Sequence, residues 1–354
     1  DLTAMLKYYS TEFARKIVNH GMDIIGGAGI SKGPNNLLAH PYIAAPIGIT
    51  VEGANILTRT LIIFGQGAIR AHQFVYSEFE AAQNKDAKAF DKAFWGHVGL
   101  VTRNKWRAIL LSLTRGYCAL GAFRQGKFWR YYQKLTWASS VFALFTDLAL
   151  SLLGGNLKAK GQLSGRFADA FSWMFIASSA LRRFDEEGEK REDLPLLLWT
   201  LERSFFEIRQ AFEGIIENFD HPVFKYLFAH PFKLLLAINP IGNAIKDEYD
   251  FKLAGMIQNN EEQRLRLNEG VYIPKSEDER FAQLEKAFAA YHQTKGIQKK
   301  VRDAKRAKKI KKAHPADLYT QSVEQNIISE DEYNFVANVN KMATDVIQVD
   351  DFPV

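Results

Sequence analysis

Cysteine is almost absent from this sequence, and its scarcity excludes several kinds of site. The one cysteine, Cys118, leaves no pair for an internal disulfide and no thiolate set for a structural zinc ion. A reducing compartment is therefore expected. The eight histidines are spread along the chain without an HExxH motif or other paired spacing, which predicts no histidine-based metal site.

Alternation of apolar and polar residues, the pattern of half-buried strands, is also nearly absent. Apolar residues instead recur every three or four positions, and glycine or proline marks the breaks at Gly154, Gly188, Pro231 and Pro240. This periodicity predicts an all-α, bundle-like fold. The predicted helices cover residues 2–24, 52–65, 73–83, 86–101, 104–121, 126–153, 163–187, 193–218, 243–257, 277–292, 296–312 and 330–345, the last opened by a capping box at Ser329–Glu332.

Long hydrophobic runs are few, and two of them raise the question of a membrane. Trp137–Gly154 has 18 residues and one charge, Asp147, which reaches the length of a spanning helix. Its serines, its threonine and its aspartate favour a buried bundle helix instead. Val223–Ile238 contains two lysines, a histidine and a proline, so it is expected at most to contact a membrane surface.

Glycine and proline are concentrated between residues 26 and 50, which predicts an irregular segment there. A loop of this length is often functional. It ends at Val51-Glu52-Gly53, where a carboxylate stands before the next predicted helix. Glu52 has two interpretations from the residues alone. It could act as a general base, or it could cap or decorate the first helical turn.

Positive charge is confined to one stretch. Residues 295–312 contain ten Lys or Arg and a single Asp, while the whole chain carries a net charge of only +6. Ile297, Val301, Ala304, Ala307 and Ile310 follow a helical spacing within it, which predicts an amphipathic helix. This helix could pack by its apolar stripe with a solvated basic face, or contact an anionic membrane surface. Nucleic-acid binding is not expected, because no interleaved aromatics or reading motif accompanies the charge.

The N-terminal motifs resemble the end of the catalytic region of the acyl-CoA dehydrogenases. The first predicted helix is followed by Ile25-Gly26-Gly27-Ala28-Gly29, and Glu52-Gly53-Ala54-Asn55 precedes a helix with Arg59. The run Pro41–Gly67 is similar to the large bacterial enzyme of β-oxidation, which carries an additional helical C-terminal region. Leu163–Phe184, Glu192–Phe219 and the tail at Val349–Phe352 resemble that region.

The resemblance implies a function and roles for three residues. Glu52 matches the catalytic base that removes the α-proton of a fatty acyl-CoA while the β-hydrogen leaves as hydride to FAD, giving the trans-2-enoyl-CoA. Gly26 and Gly27 match glycines whose backbone lies against the diphosphate–adenosine part of the flavin. The alternative for Gly26 is an ordinary left-handed helix cap. Implied partners are fatty acyl-CoA, an electron-transfer flavoprotein and further copies of the chain.

The resemblance also divides the chain. Residues 1–70 are expected to end the catalytic bundle, 71–260 to form an appended helical bundle, and 261–354 to form a C-terminal helical region. Because helical periodicity begins at once after Asp1, we expect a portion of a longer protein that is inactive without its N-terminal flavin-binding domains. The expected location is the cytoplasm, with peripheral contact at the inner face of the bacterial inner membrane. The alternative is a helical interaction or membrane-docking domain that is not an enzyme.

Overall fold

The computed structural model describes residues 2–124, 126–274, 276, 278–311 and 314–350. These residues form helices and connecting turns and contain no strand, which confirms the all-α prediction. The main helices are α1 Leu2–Ile25, α2 Ala39–Thr50, α3 Asn55–Ala71, α4 Val75–Gln83, α5 Ala87–Leu113, α6 Trp129–Leu153, α7 Gly161–Glu186, α8 Leu194–Asn218, α9 222–238, α10 Asp247–Asn259, α11 Glu261–Leu267, α12 Arg280–Gln293, α13 Lys295–Arg306, α14 Pro315–Glu324 and α15 Glu330–Val346.

Two compact units make up the chain. The larger unit contains residues 2–10 and 49–258, and the smaller unit contains residues 11–48 and 259–350. Residues 2–10 therefore pack with the segment that follows residue 48. The predicted domain boundary at residue 70 falls inside α3 and inside the larger unit, whereas the predicted boundary at residue 260 lies close to the division at 258.

The core of the larger unit is built mainly by α6, α7 and α8. α7 and α8 pack along each other, and α7 also packs on α3. Many of the 26 phenylalanines of the chain lie in this core, so core packing explains their large number. Phe145 is fully buried, and its ring meets those of Phe212, Phe224 and Phe232 edge to face at centroid distances of 6.0, 5.4 and 5.1 Å. Such edge-to-face contacts add to the burial of apolar area.

The apolar run at Trp137–Gly154 lies in α6, as predicted for a buried bundle helix. Trp137, Leu144 and Phe145 are almost fully buried, and the Trp137 indole N–H donates to Ser112 Oγ at 2.8 Å. By length and composition the segment Gly126–Ala159 could cross a membrane, and half of its most apolar window is buried inside the protein. Its apolar residues are used in the core of the larger unit.

The basic helix α13 packs through its apolar stripe in the smaller unit. Ile297, Val301 and Ala304 are buried and share a cluster with Ile310, Ile328 and Val336. Ala307, also predicted on the stripe, is exposed, because α13 ends at Arg306 and not at 312. The described lysines and arginines of the stretch, up to Lys311, are all exposed; Lys312 lies outside the described residues.

The predicted capping box of α15 is present. Ser329 Oγ accepts from the Glu332 N–H at 3.1 Å, and a Glu332 side-chain oxygen accepts from the Ser329 N–H at 3.0 Å. We expect Ser329→Ala to lower the free energy of unfolding by about 1 kcal/mol, because one donor of the first turn loses its partner. Urea unfolding measures this, with the exposed Ser179→Ala as a control that should change little. Equal stability of the two variants would contradict the role of the box.

Several helix predictions differ from the structure, and α9, α11 and α14 were not predicted. The segment 26–50 is irregular only over residues 31–38, since Gly26–Ile30 forms a 3-10 helix and α2 covers Ala39–Thr50. Pro41 is tolerated because it lies near the start of α2. Pro46 lies inside α2, where one backbone N–H donor is missing. The predicted helices 86–101 and 104–121 are replaced by one helix, α5, which ends at Leu113, so its predicted continuation to residue 121 is wrong. The N-cap of α5 is Asp86, whose side chain accepts from Ala89 N–H at 3.0 Å.

Candidate active-site turn and its surroundings

Glu52 lies in a tight turn between α2 and α3. Its backbone has φ +56°, and that of Gly53 has φ +88°, so two successive residues are left-handed. For a glutamate this conformation is unfavourable by roughly 1–2 kcal/mol. The residue before α3 is Ala54, and no side chain caps the helix, so Glu52 neither caps nor belongs to its first turn. The capping interpretation of Glu52 is therefore wrong.

A lysine from α1 holds the turn in place. Lys7 Nζ donates to the Gly53 carbonyl oxygen at 2.7 Å and to Asn55 Oδ1 at 2.6 Å. Thr58 Oγ1 also donates to the Gly53 carbonyl, at 3.2 Å. Asn55 and Thr58 are buried. Hydrogen bonds to a charged group contribute about 1.5–3 kcal/mol, which is enough to offset the left-handed backbone.

The turn leaves two groups of Glu52 accessible. The residue is exposed, and its backbone N–H donates no hydrogen bond to any described part of the chain. A carboxylate and a free N–H on one residue can serve as a base and as a donor to a carbonyl oxygen.

Arg59, one turn into α3, pairs with Asp169 of α7. Its Nε donates to Asp169 Oδ1 at 2.8 Å and its Nη2 to Oδ2, so the contact is bidentate. Tyr9 Oη donates to the same carboxylate at 3.2 Å. The hydrogen bonds to Asp169 raise the pKa of Arg59 above its usual value, against the opposing effect of burial. Burial, followed by the charge of Asp169, raises the pKa of Tyr9 well above its usual value.

The same part of α3 also contacts α7 through its backbone. Ser164 Oγ donates to the Thr60 carbonyl oxygen at 2.7 Å. Thr60 lies in the π-helical part of α3, Thr58–Gln66. At Gly165 an added Cβ would lie 2.5 Å from Arg59 Nη1, so glycine gives the guanidinium its space. The Arg59–Asp169 ion pair, the Ser164 hydrogen bond and the close packing at Gly165 thus hold α3, the helix that follows Glu52, against α7.

Gly26 and Gly27 follow the end of α1 in the smaller unit. Gly26 has φ +57°, which fits the left-handed position at a helix C-terminus. Gly27 lies outside the left-handed region, and an added Cβ would meet nothing within 4 Å. Both are exposed. Gly26 is therefore explained by its backbone conformation, whereas nothing in the described chain requires glycine at 27. An open backbone of this kind permits close approach by a ligand.

The loop after these glycines is fixed by Asn36 and by the C-terminal tail. The buried Asn36 side chain donates to the carbonyl oxygens of Gly29 and Ser31 at 3.0 and 2.8 Å. Asp350 accepts from Ser31 Oγ at 2.7 Å and from Asn35 N–H at 2.8 Å. The hydrogen bond from Ser31 lowers the pKa of Asp350. An added Cβ at Gly33 would lie 2.2 Å from this carboxyl group, so the tail needs glycine there.

A polar cluster that sequence spacing did not predict lies in the larger unit. His72, between α3 and α4, hydrogen-bonds through Nε2 to Asp147 Oδ1 of α6 at 2.8 Å. His97 of α5 hydrogen-bonds through Nδ1 to Glu78 Oε1 of α4 at 2.9 Å. The two imidazole rings are 4.6 Å apart. The prediction of no histidine-based metal site rested on spacing in the sequence, which does not reveal this pair.

The described structure thus has an exposed glutamate turn in its larger all-α unit and, in its smaller unit, a glycine loop that binds the C-terminal tail. The family described as "Acyl-CoA dehydrogenase, C-terminal, bacterial type" matches residues 69–352. The chain belongs to this family, since the match covers most of its length. No solved structure matches the chain significantly.

The family match does not include the N-terminal motifs to which the resemblance assigns roles. Glu52, Gly26 and Gly27 precede residue 69, so their roles stay predictions. The structure places Glu52 in the larger unit and the two glycines in the smaller one. The sequence identified Arg59 as part of the motif. It did not predict the ion pair of Arg59 with Asp169 or the hydrogen bonds from Lys7 to the turn. Both partners come from distant positions in the sequence, where no short motif reveals them.

Proposed function

We propose that this chain is part of an FAD-dependent acyl-CoA dehydrogenase that converts fatty acyl-CoA to trans-2-enoyl-CoA in β-oxidation. The observation that carries the proposal is the Glu52 turn, where an exposed left-handed glutamate has a backbone N–H without a partner among the described residues. Energetically unfavourable backbone held by surrounding contacts is typical of functional sites. Its attachment through Arg59 and Asp169 links the turn to the matched family domain.

In this function Glu52 removes the α-proton of the acyl thioester. Its own N–H donates to the thioester carbonyl oxygen, which stabilises the enolate charge that develops as the proton leaves. A bound FAD would supply the acceptor for the β-hydrogen, which leaves the substrate as hydride. The open backbone at Gly27 fits close approach of the diphosphate–adenosine part of the cofactor, and Gly26 supplies the turn that exposes it.

Because Glu52 is exposed, we infer that further domains of the enzyme are needed to complete the active site. A base that abstracts a weakly acidic C–H proton works in a site from which water is excluded. In the described chain Glu52 is exposed. We therefore propose that the flavin-binding domains of a longer protein, and further copies of it, complete the site, and that the electrons pass to an electron-transfer flavoprotein. The isolated chain is then inactive.

Product analysis with the full-length protein tests the proposed reaction. Purified protein is incubated with fatty acyl-CoAs of several lengths and an electron acceptor, and the products are identified by mass spectrometry. The expected result is a product two mass units lighter than the substrate with a trans double bond at carbon 2. If no acyl-CoA of any length is desaturated by flavin-loaded protein, the proposal is rejected.

A second proposed property is electrostatic contact with an anionic membrane surface through α13 and the following residues, at the inner face of the bacterial inner membrane. The supporting observation is that all described cations of residues 295–311 are exposed. The apolar stripe is already buried against the rest of the smaller unit. Contact would therefore rest on charge without insertion of this stripe, at about 1 kcal/mol for each cation near the surface.

Sedimentation with vesicles checks this contact. We expect the protein to bind vesicles that contain anionic phospholipid at low salt and to dissociate at high salt, because screening weakens charge attraction. Lys299→Glu with Arg302→Glu should weaken binding about tenfold or more. The control pair Lys16→Glu with Lys252→Glu, also exposed, should bind nearly as the unchanged protein does. Binding that ignores salt or is equal in both pairs would contradict an electrostatic contact through α13.

A further inference from the structure

The polar cluster of His72, Glu78, His97 and Asp147 is enclosed within the larger unit. Asp147 is 3% exposed, and the side chains of His72 and His97 are 9% and 14% exposed. Three histidine and carboxylate ligand atoms, one each from His72, His97 and Asp147, lie within 4.8 Å of one another. Histidines and carboxylates at such spacing are the donors that divalent transition metals use in proteins.

The hydrogen bonds of His72 define the proton positions on its ring. Its Nδ1 accepts from the backbone N–H groups of Phe74 and Val75 at 3.2 and 3.1 Å, so Nδ1 carries a lone pair. The proton of the neutral ring then sits on Nε2 and is donated to Asp147 Oδ1. Both nitrogens of His72 are engaged, so His72 orients the Asp147 carboxylate and is not itself a ligand.

His97 has the opposite arrangement. Its Nδ1–H donates to Glu78, which leaves the lone pair on Nε2. That nitrogen is buried and has no hydrogen-bond partner within the described residues. A carboxylate that receives the second N–H of a histidine is the usual partner of a metal-bound imidazole, because it fixes the tautomer and raises the basicity of the ligand atom.

Asp147 supplies the second unpartnered group. Its Oδ2 is buried and, among the described residues, accepts no hydrogen bond. His97 Nε2 lies 3.8 Å from Asp147 Oδ1, which is too long for a hydrogen bond. The separation fits two ligands of one ion, whose bonds to nitrogen and oxygen are each roughly 2.0–2.2 Å long. A buried lone-pair nitrogen and a nearby buried carboxylate oxygen, each without a donor among the described residues, need a cation or a hydrogen-bond donor.

We propose that His97 Nε2 and the Asp147 carboxylate bind a divalent transition-metal ion of the zinc class, with Glu78 and His72 as the residues that position these two ligands. Water completes the coordination of the ion. Asp147 and His72 line a cavity of about 380 Å³, together with Arg103 and Arg107. The inference does not depend on the proposed dehydrogenase function.

Zinc titration of the purified protein tests the site. All proteins carry Cys118→Ser, because the exposed thiol of Cys118 could bind zinc on its own. We expect saturable binding of one zinc ion per chain by calorimetry, together with a cobalt visible spectrum that zinc displaces. His97→Ala and Asp147→Asn should each abolish this binding. Glu78→Gln and His72→Gln should weaken it about tenfold or more, as the loss of residues that orient ligands does.

His230→Ala is the matched control, since His230 is an exposed histidine of the same unit, and it should bind zinc as before. Circular dichroism in the absence of metal verifies that each variant is folded, and Asp147→Asn keeps the shape of the side chain if His97→Ala does not fold. Absence of saturable binding, or equal binding by the ligand variants and the control, would overturn the proposal. The unpartnered atoms would then be satisfied by water alone.

Discussion

Replacement of Glu52 by Gln in the full-length protein is expected to lower turnover about 10²- to 10⁴-fold, which is the usual contribution of a general base. The amide has nearly the same size and keeps the backbone N–H, but it cannot accept the α-proton at neutral pH. Flavin content should be unchanged, because Gly26 and Gly27, and not Glu52, are proposed to contact the cofactor. Turnover is followed with an artificial electron acceptor, and flavin content by visible absorption.

Glu80→Gln is the control for this variant, since Glu80 is an exposed glutamate on α4 away from the turn. It should retain full turnover. Turnover of Glu52→Gln that equals that of the unchanged enzyme would remove Glu52 from the mechanism. A parallel loss of bound flavin would assign Glu52 to the structure of the turn and not to proton transfer.

Asp169→Asn should destabilise the larger unit by about 2–3 kcal/mol. Asp169 is bound by Arg59 and Tyr9, and the side chains of the ion pair are only 27% and 25% exposed. Removing one charge leaves the guanidinium partly buried without its counter-charge, which in a fully buried pair costs about 3–5 kcal/mol. The partial exposure lowers the expected loss. The free energy of unfolding is obtained from urea titration.

Two further variants test whether the loss comes from the charge pair. Asp185→Asn, on the exposed face of the same helix, should change stability by less than about 0.5 kcal/mol. Arg59→Met combined with Asp169→Leu should recover part of the loss, because no unpaired charge then remains in the interior. Equal stability of Asp169→Asn and Asp185→Asn would contradict the claim that this pair fastens the Glu52 helix to α7.

The helical periodicity was sufficient to predict most of the fold. Amphipathic segments such as α7 and α8, and the capping box of α15, depend on residues close together in the sequence, so they are readable from it. α2 was not predicted because Pro41 and Pro46 disfavour a helix when only neighbouring residues are considered. A helix can nevertheless accept a proline near its start and tolerate the loss of one backbone N–H donor further along. The merged α5 shows that helix ends are harder to place than helices.

The site was less predictable than the fold. The resemblance identified Glu52, Gly26 and Gly27 as candidate site residues, but it did not identify the residues that hold these segments in position. Lys7 reaches the turn from α1, and Asp350 reaches the glycine loop from the end of the described chain. The convergence of His72, His97 and Asp147 likewise joins positions up to 75 residues apart. Such contacts arise only from tertiary packing, so no spacing rule anticipates them.

The central claim is that Glu52 and its turn complete an acyl-CoA dehydrogenase site only within the longer protein. Anaerobic addition of a fatty acyl-CoA, followed by the visible absorption of the flavin, tests it most directly. The full-length enzyme should lose this absorption as its FAD is reduced, whereas the isolated chain mixed with FAD should leave it unchanged. Reduction of FAD by the isolated chain, or none by the flavin-loaded full-length protein with any acyl-CoA, would contradict the account.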